Sequence, residues 1–273
     1  MTSQTPPPAA DVSRRSALAL LGLAGVGAAA GIGVVRLVSG DETSPSSSSA
    51  TGAGASTVEP SATVDAPAVN PATGSGSDVA STPAETSGPF PADGSNGADV
   101  LHDPRALRSD IRTDLDGSNT QDGVELDLAL TVLDGATGRP VAGAAVYVWH
   151  CNKAGEYSAY PTGSFLRGAQ PTDADGVALF TTVLPGRYQG RAFHIHFRVY
   201  SDTGFTTELL TSQMAMDDAE IDALYAEAGY DRALAADTDN AQDNVFADGV
   251  DHQLIVVAGE ATSRLTTTFV AVV

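Results

Sequence analysis

Between residues 124 and 132 the chain alternates strictly, with Val124, Leu126, Leu128, Leu130 and Val132 set against Glu125, Asp127, Ala129 and Thr131. A period of two predicts a half-buried strand, which Asp134-Gly135 and Thr137-Gly-Arg-Pro140 close as a turn. Val141 to Cys151 reads as a second strand, Val146 and Val148 alternating with Tyr147 and Trp149. Asp175-Gly176 precedes a third over Val177 to Val183, and Pro185-Gly186 makes a turn before Arg191-Ala-Phe-His194-Ile-His196-Phe-Arg-Val199. Apolar runs at Gln253 to Ala258 and Leu265 to Val272 supply the last strands. Only Asp218 to Ala235 changes period, with Ile221, Leu224, Tyr225 and Ala228 at helical spacing and Asp217 or Asp218 as N-cap. Short strands separated by Gly and Pro turns predict a mainly β fold, a β-sandwich with a short helical insertion.

Upstream this patterning stops. Residues 39–83 are built of Ser, Thr, Ala, Gly and Pro, which cannot bury enough apolar surface to offset chain entropy, so a disordered linker is expected there. Residues 84–273 have ordinary Val, Leu and aromatic content and are expected to form one domain burying roughly 70% of its extended-chain surface. Residues 1–38 carry Ser13-Arg14-Arg15-Ser16-Ala17-Leu18 ahead of an uncharged run from Ala17 to Val35. A basic segment followed by a moderately apolar one predicts an export signal of the twin-arginine type. Cleavage near Ala28-Ala29-Ala30 and retention as a membrane anchor both fit, since 19 helical residues would span about 28 Å. In either case the domain is expected outside the cytoplasmic membrane, the linker acting as a tether of about 40 Å mean reach.

The charge is −20, from 34 acidic and 14 basic residues, and between Asp217 and Asp251 the sole basic residue is Arg232. Such a chain repels nucleic acid, and the acidity reads as solubility rather than calcium binding because no aspartate spacing follows an EF-hand loop. Cys151, the single cysteine, forms no internal disulfide and is expected as a small buried residue.

On a strand, His194 and His196 project from one face while Ile195, Phe197 and Val199 project from the other, a geometry able to hold a metal. Two tyrosines precede them near turns, in Gly155-Glu-Tyr157-Ser158 and Pro185-Gly-Arg-Tyr188. The order Gly-x-Tyr-Ser, Pro-Gly-x-Tyr, Arg-x-x-His-x-His-Phe resembles the intradiol ring-cleavage dioxygenases, the catechol and protocatechuate 3,4-dioxygenase family. Glu85-Thr-Ser-Gly-Pro-Phe90, Arg108-Ser-Asp-Ile111, Gly138 to His150 and Ser212-Gln213-Met214 extend the resemblance over roughly residues 84–260.

The resemblance implies a non-haem Fe(III) enzyme that inserts both atoms of O2 into a catechol-type ring to give a cis,cis-muconate-type dicarboxylate. Phenolates are hard donors suited to a ferric ion, and the implied ligands are Tyr157, Tyr188, His194 and His196. By the same resemblance Tyr157 and His194 lie near the equatorial plane, Tyr188 and His196 are axial, and Tyr188 leaves on substrate binding to take a proton. Arg191 matches the arginine that stabilises charge on the activated ring, and Gln213 matches a glutamine of that pocket. Three departures stand out. Ala159 occupies a position where Gly is usual, the export signal is unlike the cytosolic enzymes, and no helical segment of their dimerising kind precedes the sandwich. Partners are then a small catechol-type aromatic and O2; the ring substituent and the oligomeric state are left open.

Singly, these residues have plainer readings: Tyr157 as a hairpin aromatic, Tyr188 as a corner tyrosine, Arg191 as a surface charge, Gln213 as a strand-edge group. Trp149 and Phe197 read as core, and His150 and His252 fall outside the ligand pattern. Two competing functions are a non-catalytic exported sandwich that binds aromatics or carbohydrates, and a zinc or Fe(II) site built on His194, His196 and a nearby carboxylate.

Overall fold

The computed structural model describes residues 80–230 and 238–273. The expected export signal, and the linker up to residue 79, lie outside the described residues. In β1 (Glu125–Leu133) Leu126, Leu128, Leu130 and Val132 all turn inward, as their alternation requires. The strand pairs antiparallel with β4 (Val177–Val183) and parallel with β9 (Arg264–Val272). With β8 (Val257–Glu260) these form a mixed sheet of order β4-β1-β9-β8. The second mixed sheet has order β3-β2-β5-β6-β7, from β2 (Ala145–Trp149), β3 (Arg167–Pro171), β5 (Ile195–Tyr200), β6 (Glu208–Met216) and β7 (Leu254–Ile255).

The two sheets share one core, where Leu126, Leu128, Leu130, Phe180 and Phe269 meet Val146, Val148, Ile195, Phe197, Val199 and Met214. Each such fully buried side chain contributes about 1.5–3 kcal/mol through burial. The expected β-sandwich is therefore the observed architecture. Sheet two differs from sheet one in being covered on its other face as well: Tyr147 and Trp149 point away from the sandwich core into a second cluster with Ala145, Tyr157, Ala169 and Tyr200. All five residues of β2 are consequently buried. That second, aromatic cluster is where the functional side chains gather.

Several boundaries differ from expectation. The second strand is shorter, beginning at Ala145, and β3 and β6 were not anticipated because neither has a clean period-two pattern; β6 runs buried from Leu210 to Met216. The helix, α1 (Asp218–Ala228), begins as expected with Asp217 accepting from Ala219 and Glu220 N–H groups. It stops earlier, at Gly229, whose left-handed φ of 66° supplies a C-cap that the apolar spacing alone does not reveal. The packed domain also reaches further back than residue 84: Thr82 N–H donates to Val272 O, and Ser212 Oγ–H donates to Pro83 O.

Candidate functional site

Tyr157 sits on the loop after β2. Asn152 Oδ1 accepts from the Ala154 and Glu156 N–H groups and tightens this loop, while Gly186 N–H donates to Asn152 O and ties it to the loop carrying Tyr188. The two loops interlock so closely that a Cβ on Gly155 would stand 2.3 Å from Arg187 O, which explains the glycine two residues before Tyr157. His194 immediately precedes β5 and His196 lies within it, their rings 5.0 Å apart and nearly perpendicular.

All four side chains converge. The Tyr157 hydroxyl lies 2.8 Å from His194 Nε2. The Tyr157 ring is 5.3 Å from that of Tyr188 and 6.1 Å from that of His196, and Tyr188 stands edge-on to His194 at 6.3 Å. Phe90, from the segment ahead of the sandwich, packs against Tyr157 at 4.9 Å and Tyr188 at 6.2 Å. Tyr157, His194 and His196 are buried, and Tyr188 is half-buried.

The protonation states follow from the hydrogen bonds. His194 Nδ1 lies 2.8 Å from Ala192 O, and a carbonyl only accepts, so Nδ1 carries the proton and Nε2 keeps its lone pair toward Tyr157. Burial, reinforced by the Arg191 charge, brings the His194 imidazole down to about 3, so it is uncharged at neutral pH. Burial and the neighbouring His194 push His196 well below its usual value too. Burial raises Tyr157 well above the usual phenol range, opposed by the charges of Arg191 and Arg167. A phenol in this position loses its proton only to a strong nearby cation.

Arg191 and Gln213 adjoin this cluster. Gln213 is fully buried and lies opposite His196 in the β5–β6 register. Its Oε1 accepts from Arg191 Nη2 at 2.7 Å, and its Nε2 donates to Thr86 O. The structure thus unites all six residues singled out in the sequence. Two further groups went unnoticed: buried Asp243, which binds Arg191, and Arg167, which is wholly enclosed beside the Tyr157 loop. Asp243 was concealed by the acidic stretch that reads as solvent-facing, and Arg167 by a strand without clear alternation.

His150 and His252 take no part. His150 Nδ1–H donates to Cys151 O, its Nε2 accepts from the Thr182 hydroxyl, and burial lowers it to about 4. His252 is an exposed loop residue. Cys151 is buried, its Sγ donating to Gly186 O, and burial pushes its thiol up to about 12, so it is no nucleophile.

A family described as Dioxygenase matches residues 101–258, more than half of the chain. The chain belongs to the intradiol ring-cleavage dioxygenase family. Catechol 1,2-dioxygenase 1 of Acinetobacter lwoffii is 40% identical over 92 residues, covering 25% of this chain and 30% of that protein. Catechol 1,2-dioxygenase 2 of the same organism is 36% identical over 104 residues, covering 30% of this chain and 37% of that protein. The matches thus span about a third of the length of these curated relatives. The intradiol ring-cleavage dioxygenase of Tetranychus urticae superposes with a TM-score of 0.58 at 23% identity, over 71% of this chain and 94% of that one, a likeness of fold.

Intradiol dioxygenases use non-haem iron, and the donor set here fits it. Two phenols and two uncharged imidazoles make a hard oxygen and nitrogen set suited to a ferric ion. His196 Nδ1 is buried with no hydrogen-bond partner, so the protein alone does not satisfy that ring. The competing site with a carboxylate finds no support: among the described residues no group of three or more His, Cys, Asp and Glu is placed to hold a metal.

Proposed function

We propose that this chain is an Fe(III)-dependent intradiol dioxygenase that opens a catechol-type ring with O2 to a cis,cis-muconate-type dicarboxylate. The convergence of Tyr157, Tyr188, His194 and His196 at one buried point carries the reading. These four side chains would hold the iron, which when bound makes a chelated catecholate reactive toward O2.

The residues of the chain divide the remaining work. Tyr157 is locked by burial and by its contact with His194, whereas Tyr188 is half-buried and its hydroxyl makes no hydrogen bond among the described residues. Tyr188 is therefore the side chain free to swing away, and as the tyrosinate that bound iron would impose, its Oη would take a substrate hydroxyl proton. Arg191 uses Nε and Nη2 on Asp243 and Gln213, leaving Nη1 without a hydrogen bond among the described residues. Nη1 faces developing negative charge on the substrate as a preorganised donor. Phe90, packed against Tyr157 and Tyr188 and 5.1 Å from the Tyr160 ring, lays an apolar wall beside the four donors.

The domain works outside the cytoplasmic membrane in this reading, supported by Ser13-Arg14-Arg15-Ser16-Ala17-Leu18. Iron analysis, a visible spectrum and oxygen uptake with a catechol panel test the enzyme. A tyrosinate-to-iron absorption band is expected, weakened or shifted in Tyr157→Phe and absent when Tyr157 and Tyr188 are both Phe; an iron-loaded protein without that band overturns the reading. Periplasmic or extracellular recovery that ends when Arg14 and Arg15 become Lys tests the export.

A further inference from the structure

We infer that Asp243 is a positioning residue that sets Arg191 and His194 through one carboxylate. Its side chain is completely enclosed, in a chain segment whose other acids read as solvent-facing. Arg191 Nε–H donates to both carboxylate oxygens, at 2.9 and 2.7 Å. Oδ2 also accepts from Ala192 N–H at 2.8 Å, and Oδ1 from Val245 N–H at 2.9 Å.

Two consequences follow from these contacts. Fixing Arg191 at Nε leaves the guanidinium one rotation in which Nη2 reaches Gln213 Oε1, so the remaining Nη1 points in a set direction. Fixing Ala192 N–H anchors the residue whose own carbonyl, in the following peptide group, accepts from His194 Nδ1, and that bond aims the His194 Nε2 lone pair at Tyr157. Phe246, three residues after Asp243, lies 5.7 Å under the Arg191 guanidinium and closes the assembly from the same loop. A loop around residues 243–246 thereby governs both the substrate-facing cation and one imidazole. Asparagine retains the shape, but its NH2 replaces either the oxygen that accepts from Arg191 Nε–H and Ala192 N–H or the one that accepts from Arg191 Nε–H and Val245 N–H, so bonds must break, whereas alanine removes all four.

The functional arm rests on the proposed catechol chemistry; the structural arm does not. In the metal-free protein, the Arg191 Nε–H proton should be resolved and protected from exchange by NMR; Asp243→Asn should weaken that protection and Asp243→Ala should abolish it. In the iron-loaded enzyme, Asp243→Asn should lower kcat about 10- to 100-fold with little change in KM. It should add no further loss in an Arg191→Ala background beyond that of His194 misalignment, read as a shifted tyrosinate absorption band. Unchanged Nε–H protection, or equal kcat losses in the two backgrounds with an unshifted band, overturns the inference. If the wild-type protein has no dioxygenase activity while the protection is lost as expected, the proposed reaction fails and the positioning role stands.

Discussion

Trp149 and His196 lie face to face, ring centroids 4.9 Å apart and planes within 4°, as directly opposed residues of β2 and β5. Tyr147 also stacks on the indole at 5.1 Å, and the Arg198 guanidinium lies 5.8 Å from it. His196 has no hydrogen bond at Nδ1 to orient it, so this stack sets its plane. Trp149→Ala should cost about 3–5 kcal/mol by urea denaturation and weaken iron retention, whereas Trp149→Phe should keep most of both. Full iron retention in Trp149→Ala would show that the indole does not hold the imidazole.

Backbone conformation makes an opposed pair of predictions. Gly88 has φ of +63°, and a Cβ there would lie 3.1 Å from His196 Cε1. Gly88→Ala should lose about 1–2 kcal/mol and disturb iron binding. Ala159 has φ of +71°, the left-handed conformation that suits the glycine usual at this place. Ala159→Gly should raise thermal stability by up to about 1 kcal/mol; a loss would contradict strain at this residue.

Arg167 is a wholly buried cation whose hydrogen bonds all go to uncharged groups: Ser158 Oγ and O, Phe90 O, Pro91 O and the Tyr147 hydroxyl. It joins the Tyr157 loop to the segment bearing Phe90. Arg167→Met would strand several buried carbonyls, and a loss of about 3–5 kcal/mol is expected in denaturant titration. Arg167→Lys should recover only part, because an ammonium cannot fork across both segments. Wild-type stability in Arg167→Met would show that this bridge is dispensable.

His150 predicts an acid limit. Its pKa falls from about 6.5 unfolded to about 4 folded because burial disfavours the cation, so the unfolded chain takes up a proton first. Its stabilising contribution is complete above pH 6.5 and is lost as pH falls toward 4, by roughly 3 kcal/mol. Denaturant midpoints between pH 7 and 4 should fall less steeply in His150→Asn than in wild type. Parallel slopes would rule out this histidine as a source of acid lability.

Much of this protein was legible along the chain because its strongest signals are local. The alternation from Val124 to Val132 needs only a period of two to place one face inward, and His194-x-His196 needs only the same period to put two imidazoles on one side. Gly155 and Gly186 mark the turns beside Tyr157 and Tyr188, so even the loops left a local trace. What depended on distant partners was not legible. β6 shows no alternation because sheet two is covered on both faces, and its pattern becomes meaningful only beside β5. Asp243 is one acid among many until folding places it 2.7 Å from Arg191, 52 residues away. Local periodicity determined which side chains share a face; only tertiary structure decided which charges are buried together, because desolvation and ion pairing depend on neighbours remote in the chain.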